Sequence, residues 1–297
     1  MPDFPKPEAL AAIAARARAW ADVFKLPLQH RVWRGLAGDF QGSGVGSSLD
    51  FQDHRAYMPG DDPRHINWQA YARTGHYTMK LYREEVRPVI DVVFDVSDSM
   101  LFRDEKRDRS VELFYFAIFS ALKSGAAVSA MLVKGEAHHR LSDELIHSHG
   151  WAGLAATMPA TASAAEPDLR PLPFRAQSMR ILVSDLLFAQ SPEVSLRSLT
   201  KSRGRGIILA PFLRAEADPD WEGNYEFVDA EAGDRHPHRV DREVLGRYQA
   251  AYRRHFDVWK TLSRKYDIIL ARVPAEPDFQ AAIQVEAVSS GALEIWG

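Results

Sequence analysis

The stretch Asp95-Val-Ser97-Asp-Ser99 offers a carboxylate and two hydroxyls at positions i, i+2 and i+4. Directly before it runs Val89-Ile-Asp-Val-Val-Phe-Asp95, nearly continuous in apolar residues, the pattern of a strand buried on both faces. A loop leaving the carboxyl end of such a strand can turn all three oxygens toward one cation. Hard oxygen donors in small number suit magnesium or manganese, or calcium, and leave coordination positions open. A second carboxylate, Asp185, follows the run Ile181-Leu-Val-Ser. If the two strands are neighbours, Asp185 reaches the same site, as a ligand or through the metal's waters. The alternative is a loop whose Asp and Ser merely cap the next helix.

The elements that must position these groups can be read from periodicity. Residues 8–25 predict an amphipathic helix, with Leu10, Ile13, Ala17, Trp20 and Phe24 on one face and Pro27 as its stop. Residues 30–88 are rich in Gly, Asp, His and Arg and read as short strands and structured loops. From residue 89 buried strands alternate with helices. After the first strand come a helix over Glu105–Ser124, stopped by Gly125, and a strand over Ala127–Val133, with a short strand after Gly135. In the helix, Val111, Phe114, Tyr115, Ile118, Ala121 and Leu122 face inward. Residues 142–176 suggest helical pieces and an Ala/Pro/Thr-rich loop. Beyond them, strands are expected over Arg180–Leu187 and Ile207–Leu213, on either side of a helix at 192–202. A shorter strand at Tyr225–Asp229, a long helix over 241–265 and a strand over Tyr266–Val273 complete the series. The fold class is therefore α/β, an open and mainly parallel sheet with helices on both faces. The expected division is an N-terminal segment, 1–88, preceding an α/β domain, 89–297. Ligands in such sheets bind outside the carboxyl ends of the strands.

Composition removes several classes of function. The 297 residues contain no Cys, which excludes disulfides, thiolate catalysis and Cys-based metal sites. Net charge is -3, so no global field favours nucleic acid or anionic lipid. Nothing approaches the roughly 18 uninterrupted apolar residues of a membrane span. The start MPDFPKPEAL lacks a basic stretch followed by an apolar one, and a cytoplasmic location is the expectation.

Other constellations carry weaker chemistry. Asp61 and Asp62 in Gly60-Asp-Asp-Pro-Arg64 could act as acid and base, or pair with Arg55, Arg64 or Arg73 as a structural latch; the latch is favoured. His138, His139, His147, His149, His236 and His238 lack the i, i+4 spacing of a helical zinc motif and read as loop and surface residues. Gly42-Ser-Gly-Val-Gly46 lacks the spacing and the Lys of a phosphate-binding loop and reads as a turn. Arg242, Arg247, Arg253 and Arg254 read as a solvated helix face, and no aromatic-interleaved basic stripe argues for nucleic acid.

The D-x-S-x-S stretch with a later strand-end Asp resembles the metal-ion-dependent adhesion site of von Willebrand factor A domains. Asp95, Ser97, Ser99 and Asp185 match that motif one by one. Its fifth member, a Thr from an intervening loop, falls to Thr157 or Thr161, with nothing local to choose between them. Upstream, Arg55-Ala-Tyr57-Met-Pro-Gly60-Asp61-Asp62-Pro-Arg64-His-Ile66-Asn67-Trp68, followed by Arg73, resembles the signature of the domain-of-unknown-function-58 family. In that family the segment precedes a von Willebrand A-like, Rossmann-type domain. Asn67 stands where the family usually has Asp. The resemblance covers about residues 30–290. It implies a bacterial protein, often encoded beside a MoxR-type AAA+ ATPase, with a role in metal-dependent assembly or maturation of other complexes. The open metal position would accept a carboxylate from a client protein.

The expectation is therefore a non-enzymatic, metal-dependent interaction module. A magnesium-dependent phosphohydrolase with Asp95 as nucleophile is the alternative, but that chemistry wants an Asp two residues on, where Ser97 stands. A scaffold with a degenerate metal site is the third reading.

Overall fold

A computed structural model describes residues 4–28, 49–84, 88–159, 167–230, 233–276 and 278–296. The chain divides into two compact units, Arg31–Arg87 and the remainder, Met1–His30 with Pro88–Gly297. In chain order, the larger unit begins with α1 (Pro7–Trp20) and β1 (Phe24–Lys25). The smaller unit holds β2 (Leu49–Ala56), α2 (Trp68–Thr74) and β3 (Thr78–Glu84). The larger unit resumes with β4 (Val89–Asp95), α3 (Asp98–Leu101), α4 (Asp104–Lys123), β5 (Ala127–Lys134) and β6 (Ala137–Leu141). Next come α5 (Asp143–His147), α6 (Trp151–Ala156), β7 (Met179–Val183), α7 (Pro192–Thr200) and β8 (Arg205–Phe212). The chain continues through α8 (Arg214–Ala217), β9 (Gly223–Val228), β10 (Arg235–Val240) and α9 (Arg242–Lys265). It ends with β11 (Ile269–Pro274), α10 (Phe279–Val285) and β12 (Glu294–Ile295).

Six strands form the central sheet in the order β11-β8-β7-β4-β5-β6. All neighbours are parallel except β5 and β6, which pair as an antiparallel hairpin. The expected mainly parallel α/β sheet is present. Its strands earn their places by apolar content: β4 from Ile90 to Asp95 and all of β7 are buried, as strands covered on both faces must be. One face carries α7 and α9, where Leu196, Leu199, Tyr252, Phe256 and Trp259 pack with Val93, Leu182 and Ile208. The other carries α4, whose Phe114 stacks on Phe94 with ring centroids 4.9 Å apart.

Residues 1–30 belong to this larger unit, so the boundary expected at residue 88 holds only for the segment from Arg31. The buried face of α1, Leu10, Ile13, Ala14 and Ala17, packs on α4, and Arg16 reaches Glu112 at 3.3 Å. The helix ends at Trp20, earlier than the periodicity predicts. Phe24 instead enters β1, which pairs antiparallel with β12. Because α4 lies between the sheet and α1, it is buried around most of its circumference. Leu122, expected inside, is 46% exposed near its end.

The smaller unit is built on the antiparallel pair β2–β3. The Gly42–Gly46 stretch lies outside the described residues. Among them, no helix is long and apolar enough to cross a membrane.

Candidate functional site

Strand order reverses beside β4: the chain passes from β4 to β5 on one side and later returns to β7 on the other. A crevice opens at the carboxyl ends of strands where order reverses in this way. Asp95 is the last residue of β4, and Ser184 and Asp185 follow β7. The neighbour relation on which the shared site depended is met. The Ser184 hydroxyl donates to Asp95 Oδ2 at 2.7 Å. Asp95 Oδ1 accepts the Ser97 backbone N–H at 3.0 Å, folding the loop back over the carboxylate. The Ser97 and Ser99 hydroxyls lie 3.2 Å apart. Three of the expected oxygen donors thus share one loop, and Asp185 stands on the adjoining strand end. Asp95, Ser97 and Asp185 are buried, while Asp98 and Ser99 are half-buried toward solvent.

The two carboxylates differ in charge environment. Among the described residues Asp95 forms no ion pair; burial, then the nearby Asp185 charge, push its pKa up to about 7 against the opposing pull of Ser184 and Ser97. Asp185 has a cation of its own. Lys106 Nζ, itself buried, binds Asp185 Oδ2 at 2.7 Å and Glu216 Oε1 at 2.7 Å. Burial works to lower the Lys106 pKa, but the carboxylates of Asp185 and Glu216 outweigh it and hold the ammonium above its ordinary value. Asp185 Oδ1 accepts the Leu187 N–H at 3.0 Å. Just outside, Lys134 pairs with Asp98 at 2.7 Å.

Sequence reasoning missed Lys106, Ser184 and Glu216. The usable signal for Lys106 was a charge one turn before Ser110 and two before Leu113, both buried in α4. Of the two Thr candidates, Thr157 is exposed after α6, and its hydroxyl donates to the Leu154 carbonyl at 2.8 Å. Thr161 lies outside the described residues. Among those residues no three His, Asp or Glu side chains gather as a metal cluster. The set that could hold a cation is therefore Asp95, Ser97 and Ser99, with Asp185 adjoining. Two carboxylates and two hydroxyls match the hard-donor chemistry of magnesium. Carboxylate oxygens that each accept one hydrogen bond retain a further lone pair for it.

In the smaller unit, Arg55 forms a bidentate pair with Asp61, both contacts 2.7 Å. Arg55 first, then the Met58 N–H, hold the Asp61 carboxyl below its usual range. Asp62 accepts the Arg64 N–H at 2.9 Å and pairs with its guanidinium. Arg73 instead donates to the Gln69 carbonyl at 3.3 Å. Asn67 caps α2 by accepting the Ala70 N–H. Trp68 begins that helix, its ring edge-on to Tyr71 and Tyr77, and Tyr57 also lies against Tyr77. Of the histidines, His149 is bonded through Nδ1 to the Tyr115 hydroxyl at 2.5 Å.

An open α/β sheet with a carboxylate-and-hydroxyl loop at its switch point is the class of protein defined by these features. The chain belongs to the family described as protein of unknown function DUF58, whose profile matches residues 53–258. It is similar to uncharacterized proteins of Mycobacterium tuberculosis and Mycobacterium bovis, each 29% identical over 244 residues, covering 76% of this chain and 75% of the relative. Among solved structures it is similar to the conserved hypothetical protein BatB from Bacteroides thetaiotaomicron. That match has a TM-score of 0.33 and 18% identity, and covers 69% of this chain and 98% of the other.

Proposed function

We propose that this chain is a metal-dependent protein-interaction module of von Willebrand A-like architecture. In this reading Asp95, Ser97 and Ser99 hold a divalent cation, magnesium or manganese or calcium, and Asp185 holds its waters. The cation's open position takes a carboxylate from a client protein. The client is assembled or matured with a MoxR-type AAA+ ATPase, and the module works in the cytoplasm. The cation's chemistry is charge neutralisation and bridging.

One observation carries the reading: among the described residues Asp95, a buried carboxylate at the switch point, has only neutral hydrogen-bond donors, and it stands beside two hydroxyls 3.2 Å apart. A buried charge without a counter-charge is costly, and a divalent cation on the Ser97–Ser99 side would remove the cost. The absence of a second acid two residues after Asp95 supports binding over phosphoryl chemistry. A metal-free scaffold has one observation in its favour, since Lys106 already neutralises Asp185.

Calorimetric titration of chelator-stripped protein with magnesium and manganese separates these readings. Binding near or below millimolar, lost in Asp95→Ala, is the expected result. No heat from either metal, in protein that is folded, leaves the scaffold.

A further inference from the structure

The amino-terminal edge of the sheet carries a second feature, remote from Asp95 and independent of any metal there. The segment from Leu169 to Phe174, the start of β7 and the last turns of α7 line an open cavity of about 750 Å³. Sites for small molecules run from roughly 300 to 1,000 Å³ and combine an apolar lining with a few convergent polar groups. Here Leu172, Phe174 and Val194 form the apolar part. Four cations, Arg170, Arg180, Arg197 and Lys201, also line it, and none of the lining residues is acidic.

Arg180 is the most telling of them. It is fully buried, and its acceptors are neutral: Nη1 donates to the Ser198 carbonyl at 2.8 Å and Nη2 to the Arg175 carbonyl at 3.2 Å. The guanidinium lies over the Phe174 ring, 4.5 Å from its centroid. On its other side is Gly204, where an added Cβ would fall 2.4 Å from Arg180 Cζ. Asp91, the carboxylate that acts on it electrostatically, is committed to Arg175 at 2.7 Å. The charge is thus fixed at the cavity wall and, among the described residues, uncompensated at contact distance. At the mouth, Arg170 and Arg197 are exposed and share their charges with Asp168 and Glu193. Lys201 is exposed with no ion pair among the described residues. The lip is strained as well: Ser202 and Arg203 are successive non-glycine residues with φ of 55° and 58°. Such conformations persist where surrounding structure enforces them, and they concentrate at ligand sites.

We propose that this cavity binds a small amphipathic anion. Its phosphate or carboxylate head would sit among Arg170, Arg197 and Lys201 in the field of Arg180, and its aliphatic or aromatic body against Leu172, Phe174 and Val194. The apolar lining explains why a body is needed, and the surplus of cations explains the preference in charge.

The test is calorimetric titration of the full chain with octyl phosphate and with octanoate, which distinguish the two head groups. Octanol tests the body alone, and inorganic phosphate the head alone. The expected result is one-to-one binding of at least one octyl anion, tenfold or more tighter than octanol or phosphate. The double variant Arg197→Glu/Lys201→Glu, both sites exposed, should weaken it at least tenfold, as should filling the cavity with Val194→Trp. Arg242→Glu/Arg247→Glu, the same charge change on the exposed surface of α9, should leave it unchanged. Circular dichroism melts verify that each variant folds. Equal affinity for octanol, retention of affinity in the charge-reversed protein, or no binding of either anion overturns the proposal.

Discussion

A buried carboxylate requires a counter-charge or a proton, and the two at the switch point meet that requirement differently. Asp185 takes the ammonium of Lys106, which it shares with Glu216; among the described residues Asp95 takes only neutral donors. Replacing Lys106 by Met keeps the apolar stem but strands Asp185 among buried atoms. Removing one partner of a buried pair costs about 3–5 kcal/mol, so Lys106→Met should lower the urea midpoint strongly in chelator. In the proposed function the same substitution frees Asp185 for the cation, and magnesium should recover part of the loss. A variant as stable as wild type in chelator would mean that the lysine is not the counter-charge. These distances also explain what was legible. Asp95, Ser97 and Ser99 announce themselves by spacing within five residues, whereas Lys106 meets Asp185 and Glu216 across 79 and 110 residues of chain. Long-range pairing of that kind has no local signature.

At the scale of elements, strands buried on both faces were readable because they leave continuous apolar runs. The runs at Val89–Asp95 and Ala127–Val133 fall within β4 and β5 with ends off by at most one residue. β10, Arg-His-Pro-His-Arg-Val, in which Val240 alone is buried, has no such run and was not read, although its equally exposed partner β9 is expected at Tyr225–Asp229 and lies at Gly223–Val228. The N-terminal helix was misjudged for a different reason. Spacings of 3 and 4 continue from Leu10 to Phe24, yet the backbone leaves the helix after Trp20, and Phe24 reaches the same core from a strand. That helix decides a test of domain organisation. Leu10 is 1% exposed in the α1–α4 contact, and large-to-small changes at such sites cost about 2–5 kcal/mol. Leu10→Ala should therefore lower the thermal midpoint of the main cooperative transition. If residues 1–30 were detachable from the α/β unit, calorimetry would show that transition unmoved.

Over the whole molecule, the protonation of one carboxylate becomes a dependence of stability on pH. Asp95 titrates near its ordinary value of 3.8 when unfolded and at about 7 when folded. Between those values the native state binds the extra proton, so stability falls as pH rises through the window from about 4 to 7. At 1.36 kcal/mol per unit of pKa, the contribution is on the order of 4 kcal/mol as an upper bound. Other groups titrate in the same range, so the informative quantity is the difference from Asp95→Asn. The metal-free wild type should lose stability relative to that variant from pH 4 to 7, as read from urea unfolding. A divalent cation favours the ionised carboxylate and should act in the opposite sense. With a millimolar dissociation constant, 10 mM magnesium adds about 1.4 kcal/mol by mass action. That gain should appear at pH 7.5, fade at pH 5 where Asp95 keeps its proton, and be missing from Asp95→Asn at both. A magnesium effect that is independent of pH, or equal in the variant, would detach the cation from Asp95 and with it the proposed interaction site.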